Sequence, residues 1–144
     1  MPVTEIAKAP VAEIGPHATV AEAATLMEER HVGALAVVRD AELVGMVTDR
    51  DVTVHVIAEG RDPATTAVAE IMTPEPAFVR DHAGIYEAIQ AMRAAHVRRL
   101  PVVDDQLRPV GMVSADDLVL YLAQEIAYLA RALTRGLEVE RATK

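Results

Sequence analysis

The sequence contains an internal duplication, which constrains the fold more than any other feature. His31-Val32 recurs 65 positions later as His96-Val97. After a one-residue insertion, Val44-Gly45-Met46-Val47 recurs 66 positions later as Val110-Gly111-Met112-Val113. The first copy runs from Val3 to about Ile57. Because related copies share one hydrophobic pattern, the chain must form the same supersecondary unit twice.

Each copy is predicted to form strand, helix, strand, strand and helix. Short apolar runs before turn residues predict strands, and apolar residues three or four apart predict helices. The first of these helices is entered through Thr19-x-x-Glu22, the pattern of a capping box. This alternation predicts an α/β fold. The predicted elements are strands at Val11–Ile14 and Ala77–Arg80, helices at Val20–Arg30 and Ile85–Ala95, strands at Ala34–Val38, Leu43–Val47, Leu100–Val103 and Val110–Val113, and a final helix of each copy starting at Thr48 or Ser114.

A linker separates the copies at Glu59-Gly60-Arg61-Asp62-Pro63, where Gly and Pro disfavour regular structure. The predicted domains are residues 1-60 as the first repeat, 61-124 as the second, and 125-144 as a C-terminal helix and tail. One repeat alone buries only about 60% of the surface of its unfolded chain, so it is marginally stable. We therefore expect the two repeats to pack face to face as one module.

Charge and composition exclude several classes of protein. Fourteen basic against 22 acidic residues give a net charge of −8, which repels nucleic-acid phosphates. Only 3% of the residues are aromatic, which leaves few side chains to stack on bases. No apolar run approaches the roughly 18 residues of a membrane span, and the N-terminal residues do not resemble a secretion signal. We expect a cytoplasmic protein that binds neither nucleic acid nor membrane.

The C-terminal segment carries an apolar stripe at helical spacing. A helix is predicted from Leu118 to Gly136, where glycine favours a helix end, with a polar tail beyond it. The stripe either covers the module's own core or pairs with another subunit. The spacing of four, four, three and four positions is that of one helix face. Its members are Leu118, Leu122, Ile126, Leu129 and Leu133.

The repeated phrase Gly-Met-Val-Thr/Ser-x-x-Asp, with an apolar strand before it and a helix after it, resembles the signature of CBS domains. It occurs at residues 45–51 and 111–117, and the resemblance covers about Val3 to Leu122. Two such domains in tandem resemble a Bateman module, whose sheets pair about a pseudo-twofold axis. The overall shape is similar to small stand-alone bacterial CBS-pair proteins, which pair as homodimers through their helices.

The resemblance implies an adenosine-containing ligand such as AMP, ADP, ATP or S-adenosylmethionine. In the family pattern the motif's acid accepts hydrogen bonds from ribose hydroxyls, and its hydroxyl residue lies near ribose or phosphate. These roles would fall on Asp51 and Thr48 in one site, and on Asp117 and Ser114 in the other. A carboxylate is chemically suited to two vicinal hydroxyls, because it only accepts hydrogen bonds. The same spacing also fits simple helix capping.

Basic residues distinguish the two copies. Family members that bind phosphorylated nucleotides carry bases just before the second strand, and Arg98 and Arg99 match that pattern. Arginine can grip a phosphate with two hydrogen bonds. The first copy has Gly33 and Ala34 there, with no base, so we expect one working site or none rather than two equivalent sites. Alternatively, the arginines are solvated charges or form surface ion pairs, which are worth about 0–1 kcal/mol.

Neither a catalytic nor a metal site is predicted. The five histidines lack the paired spacing of helix-borne metal ligands, and no cysteine is present. No nucleophile elbow or glycine-rich phosphate loop occurs. The leading hypothesis is a regulatory, non-enzymatic CBS pair that binds an adenine nucleotide between its repeats, requires no cofactor, and signals to an unknown protein. The alternative is a dimeric interaction scaffold without a physiological nucleotide.

Overall fold

Two mixed sheets and four α-helices make up the computed structural model, which describes residues 1–143. The first sheet has the strand order β1-β2-β3-β4, and the second has the order β5-β6-β7. In each sheet the first strand pairs in parallel with the second, which pairs antiparallel with the third. The strands are β1 (Glu13–Ile14), β2 (Ala34–Arg39), β3 (Glu42–Thr48), β4 (Thr73–Pro74), β5 (Val79–Arg80), β6 (Arg99–Val103) and β7 (Pro109–Ser114).

The helices are α1 (Val20–Arg30), α2 (Asp49–Val52), α3 (Ile85–Ala95) and α4 (Ala115–Ala142). A π-helical turn, Thr53–Ile57, continues α2, and 3-10 turns lie at Val3–Glu5 and Val68–Glu70. The bounds of α1 and α3 are those predicted from the sequence. The capping box of Thr19 and Glu22 forms at the start of α1, and both helices end at a histidine in the left-handed conformation, His31 and His96.

The strands lie where the duplication predicts them, with small differences in length. The strands β1 and β5 keep only the last two residues of the predicted runs, while the central hairpins gain residues at their ends. Both hairpins contain a bulge at the matching point, after the pairs Val37↔Gly45 and Val102↔Gly111. A fourth strand in the first sheet, β4, was not predicted, because its two residues carry no strand pattern.

Two hydrophobic cores, one behind each sheet, each include a residue from the other repeat. Val3, at the N-terminus, is fully buried in the core formed by the second repeat's Leu100 and Val113. Val68, which follows the linker, is fully buried with the first repeat's Leu35 and Val47. Each core therefore contains a valine from the other repeat. We describe the two repeats as interlocked for this reason.

A third apolar cluster joins the two repeats at their sheets. Ala34, Ala36 and Met46 of the first sheet pack with Met112 of the second. Two backbone hydrogen bonds between Lys8 and Met112, of 2.9 and 3.0 Å, add to this contact. The expected face-to-face α/β module is thus the observed architecture.

The C-terminal helix differs from the prediction at both ends. It starts directly after Ser114, its N-cap, and continues through Gly136 to Ala142, so the predicted stop at Gly136 is wrong. Glycine in a helix interior costs only about 1 kcal/mol relative to alanine, and the leucine, glutamates and arginine that follow favour a helix. The last residue of the predicted tail, Lys144, lies outside the described residues.

The apolar stripe of α4 does not cover the module's own core. Leu118 is 3% exposed and packs in the second core, but Leu122, Ile126, Leu129 and Leu133 are all exposed. Of the two alternatives for this stripe, burial against the module is therefore wrong beyond Leu118. Across residues 1–143, no helix combines the length and apolar character needed to cross a membrane.

Candidate functional site

The larger of two clefts between the repeats has a volume of about 510 Å³ and brings together predicted site residues from both copies. Thr48 and Asp51 reach it from the start of α2. Arg98 and Arg99 reach it from the start of β6 in the other repeat. We call this space the first cleft. Its other lining residues include Arg50, Glu75, His96 and an apolar wall of Ala34, Met46, Val97 and Pro101.

Thr48 and Asp51 form a complete capping box at the wall of the first cleft. The hydroxyl of Thr48 accepts from the backbone N–H of Asp51 at 3.1 Å, and the backbone N–H of Thr48 donates to Oδ2 of Asp51 at 2.9 Å. Oδ1 of Asp51 lies 4.0 Å from Nε2 of His55. Oδ2 of Asp51 thus stabilises the helix start, and Oδ1, on a side chain that is 20% exposed, faces His55 and can also accept a hydrogen bond from a ligand.

The arginines give the first cleft a positive edge. Arg98 pairs through Nη2 with Oδ1 of Asp116 at 2.9 Å, and both side chains are largely exposed, at 80% and 78%. This contact is the surface ion pair that the sequence left open as an alternative. Among residues 1–143, no carboxylate lies within ion-pairing distance of Arg99. Together with Arg50, these side chains outnumber the two carboxylates of the first cleft, Asp51 and Glu75.

A second cleft of about 300 Å³ contains the other copy of the motif. The hydroxyl of Ser114 accepts from the backbone N–H of Asp117 at 3.1 Å and caps α4. The carboxylate of Asp117 does not complete a capping box; instead its Oδ1 lies 3.6 Å from Nζ of Lys8. The side chain of Asp117 is 18% exposed. Asp116, His31, Gly33 and Arg99 also line this second cleft.

The structure groups the predicted residues differently from their order in the sequence. Arg98 belongs to the same copy as Ser114 and Asp117, yet it lines the first cleft with Thr48 and Asp51. Arg99 lines both clefts. Sequence reasoning missed Lys8 and Arg50, because a lone basic residue carries no motif and only the packing of the repeats brings it to a cleft.

The position of the missing base in the first copy lies beside an exposed acidic side chain, that of Asp49. The backbone N–H of Asp49 donates to the carbonyl of Gly33 at 3.0 Å, as that of Ala115 donates to Arg98 at 2.8 Å, so the two pairs are structurally equivalent. A Cβ added to Gly33 would lie 2.9 Å from Oδ2 of Asp49. At the equivalent point of the second repeat, Ala115 has no charged side chain, and Arg98 pairs instead with Asp116.

Other ionisable groups lie outside the clefts. In the turn before β7, the backbone N–H of Arg108 donates to Asp104, and this bond, with further bonds from Arg108 and Gln106, lowers the pKa of Asp104. Partial burial and the nearby charge of Glu125 raise the pKa of Tyr121. The ligand atoms of Asp81, His82 and Asp105 lie within 4.8 Å of one another at the surface, where exposed acids commonly occur without a metal.

Two equivalent α/β repeats, interlocked through their cores and enclosing two clefts, define a paired-repeat module. The model of the CBS domain matches this chain twice, at residues 3–57 and 68–124. The chain belongs to the CBS domain family, as its duplicated motif predicts.

Two curated relatives match over most of their length. The CBS domain-containing protein YhcV of Bacillus subtilis is 41% identical over 110 residues, which cover 76% of this chain and 77% of that protein. Hypoxic response protein 1 of Mycobacterium tuberculosis is 36% identical over 121 residues, which cover 83% and 84%.

Solved structures show the same architecture. A crystal structure of Hypoxic Response Protein I with two coordinated zinc ions is similar with a TM-score of 0.74 and 35% identity, covering 83% of this chain and 97% of that one. A CBS domain protein of Pyrobaculum aerophilum complexed with AMP is similar with a TM-score of 0.75 and 25% identity, covering 86% and 99%.

Proposed function

We propose that this protein is a regulatory module that binds an adenine nucleotide in the first cleft and passes the signal to a protein partner. One observation carries the proposal: the motif residues Thr48 and Asp51 of one repeat and the arginines Arg98 and Arg99 of the other line the same cleft. The AMP complex of the Pyrobaculum aerophilum relative supports the ligand class. CBS pairs are generally regulatory, and no catalytic constellation is predicted for this chain.

The chemistry of the first cleft matches the parts of a nucleotide. The partly exposed carboxylate of Asp51 can accept from the ribose hydroxyls, which are hydrogen-bond donors. Arg98 and Arg99 can hold phosphate oxygens with paired, charge-assisted hydrogen bonds. The apolar wall of the cleft offers a surface for the flat adenine ring. A volume of about 510 Å³ falls in the range of small-molecule sites.

Calorimetric titration with AMP, ADP, ATP and S-adenosylmethionine tests the proposal. We expect selective binding of one or more phosphorylated ligands, weakened at least about tenfold by Asp51→Asn and by Arg98→Ala, since hydrogen bonds to charged groups are worth about 1.5–3 kcal/mol. Arg39→Ala is the matched control for Arg98→Ala, because Arg39 is an exposed arginine outside both clefts.

Thermal unfolding provides an independent readout. A ligand at about 100 times its dissociation constant adds about 2.7 kcal/mol of stability, which raises the midpoint by several degrees for a protein of this size. A flat response to the whole panel would contradict the proposal. Binding that is equally strong in wild type and Asp51→Asn would contradict the assignment of the site.

The alternative function is a dimeric interaction scaffold, and the exposed stripe of α4 favours it. Beyond Leu118 the helix extends for more than 20 residues, all but one of them exposed. An isolated helix of this kind is marginally stable in water, since most helical stability comes from packing of an apolar face. We propose that the protein forms a homodimer stabilised partly by this face. Self-association is compatible with nucleotide binding, but the scaffold function does not require a ligand.

Sedimentation of full-length variants tests the homodimer. Leu129→Glu places a charge in the stripe and should convert dimer to monomer, because burying an unpaired carboxylate is costly. Gln124→Glu is the control, since Gln124 lies on the polar face of the same helix and is also exposed. A monomeric wild type, or a dimer that both variants leave unchanged, would contradict a role for α4 in association.

A further inference from the structure

We infer that the two clefts of one chain take ligands of different charge: a phosphate-bearing ligand in the first cleft, and a neutral or cationic ligand with vicinal hydroxyls in the second. This inference rests on the proposed function and specifies its ligand classes. Three features of the boundary between the clefts support it: an arginine that lines both clefts, an ion pair whose partners line different clefts, and the lack of a basic side chain at Gly33.

Arg99 is the shared arginine. It lines the first cleft beside Thr48 and Asp51, and it also lines the second cleft beside Ser114 and Asp117. Ala34 is the other residue that borders both spaces, so Arg99 is the charged part of the division between them. One guanidinium can grip a phosphate in only one cleft at a time. A phosphate held in the first cleft therefore withdraws this cation from the second.

The ion pair of Arg98 and Asp116 acts in the same direction. Arg98 lines the first cleft and Asp116 lines the second, and Nη2 and Oδ1 are 2.9 Å apart. Because the pair is largely exposed, breaking it costs little free energy, so Arg98 can bind a phosphate instead of Asp116. Asp116 is then left uncompensated beside Asp117, and the second cleft becomes more negative. An anion entering that cleft would meet two carboxylates.

The first repeat places no arginine in the second cleft. Gly33 occupies the position equivalent to Arg98 and has no side chain, and the carboxylate next to it belongs to the exposed Asp49. The second cleft keeps Lys8, whose Nζ lies 3.6 Å from Asp117 and already balances that acid. Besides His31, the second cleft offers the hydroxyl of Ser114 and carboxylate oxygens, which accept from hydroxyls and attract cations. At about 300 Å³ the second cleft is also the smaller one.

Calorimetry with AMP and adenosine tests this division of ligands. We expect one tight AMP per chain, and we expect adenosine to bind the AMP-saturated protein at a second site. Arg99→Ala should weaken AMP at least about tenfold without weakening adenosine at that second site. Asp117→Asn should have the reverse pattern, weakening adenosine in AMP-saturated protein while the affinity for AMP is kept.

Asp116→Asn gives a prediction of opposite sign. Removing the partner of Arg98 leaves that cation free, so AMP should bind about two- to fivefold more tightly, the range expected for an exposed ion pair. Asp105→Asn is the matched control, because it removes one exposed negative charge outside both clefts. Equal tightening in the two variants would mean that only net charge matters, and would overturn the role of the ion pair.

The remaining outcomes separate this inference from the proposed function. Two equal AMP sites per chain, or complete displacement of adenosine by AMP, would overturn the division of ligands. If either result were seen and AMP binding were still lost in Asp51→Asn, the proposed function would be supported and only the division of ligands would be overturned. Absence of binding by both probes would overturn both proposals.

Discussion

The two repeats share a backbone plan but differ in the side chains that face the clefts. The hydrogen bond that joins each final helix to the start of its second strand is kept, from Asp49 to Gly33 and from Ala115 to Arg98. The residues that this bond joins differ, however: a glycine and an aspartate in the first repeat, and an arginine and an alanine in the second. Duplication preserved the scaffold, because the cores depend on it, and left the cleft residues free to diverge.

The helices that follow the motif diverge most. After Thr48 the first repeat forms four α-helical residues and a π-helical turn, whereas after Ser114 the second forms a helix of 28 residues. Asp51 is engaged in a capping box, but the equivalent Asp117 pairs with Lys8. The aspartate of the Thr/Ser-x-x-Asp motif therefore has a backbone N–H as its partner in the first repeat and a lysine in the second.

Truncating equivalent core leucines should have the largest effect on stability. Leu35 and Leu100 are both fully buried, so Leu35→Ala and Leu100→Ala should each lower the free energy of unfolding by about 2–5 kcal/mol. Because Val3 and Val68 interlock the cores, urea denaturation should show one cooperative transition in each variant. Leu120→Ala, at an exposed position, is the control. Two separate transitions would show that the repeats unfold independently.

Placing the second repeat's combination of arginine and alanine at the equivalent positions of the first repeat should allow both clefts to bind a phosphate. Gly33→Arg combined with Asp49→Ala reproduces the arrangement of Arg98 and Ala115 and adds a cation to the second cleft. We expect a second AMP to bind with at least about tenfold higher affinity than in wild type, measured by calorimetry. Asp49→Ala alone is the control, and an unchanged stoichiometry in the double variant would argue against the role assigned to the arginine.

The N-caps of α1 and α3 differ, and we expect substitutions there to have an intermediate effect on stability. Thr19 forms a capping box, so Thr19→Ala should cost about 1 kcal/mol of stability in thermal unfolding. Gly84 makes no side-chain cap, and a Cβ there would meet only a carbonyl at 3.8 Å. Gly84→Ala breaks no side-chain hydrogen bond, so we expect it to cost less stability than Thr19→Ala. Equal costs for the two variants would contradict the capping interpretation.

The smallest expected effect concerns acid stability. The pKa of Asp104 lies below its ordinary value of 3.8, chiefly because the backbone N–H of Arg108 donates to the carboxylate. Its stabilisation is fully present above that ordinary value and is lost as pH falls through the lower folded-state pKa. Asp104→Asn should therefore be less stable than wild type near neutral pH, with the difference disappearing in acid. Equilibrium unfolding of both proteins across this pH range measures the effect, and a difference that persists undiminished in acid would contradict it.

Local patterns allowed most of the fold to be predicted, whereas they indicated only some of the residues that line the clefts. The bounds of α1 and α3 follow from helical spacing and from the cap at Thr19, which depend on neighbours in the chain. The predicted helix stop at Gly136 was wrong because glycine's cost is small and no left-handed turn forms there. The predicted site residues do line clefts, but Lys8 and Arg50 join them through packing alone.

The sequence by itself determined that the chain folds as two equivalent α/β repeats with a Thr/Ser-x-x-Asp motif in each, because periodicity and duplication are local properties of the chain. Only the tertiary structure decided which residues face each other. The crossed packing of the repeats places Arg98 with Thr48 and Asp51, and sets Arg99 between the two clefts. The physical reason is that side chains far apart in sequence meet only when interlocked cores bring their strands together.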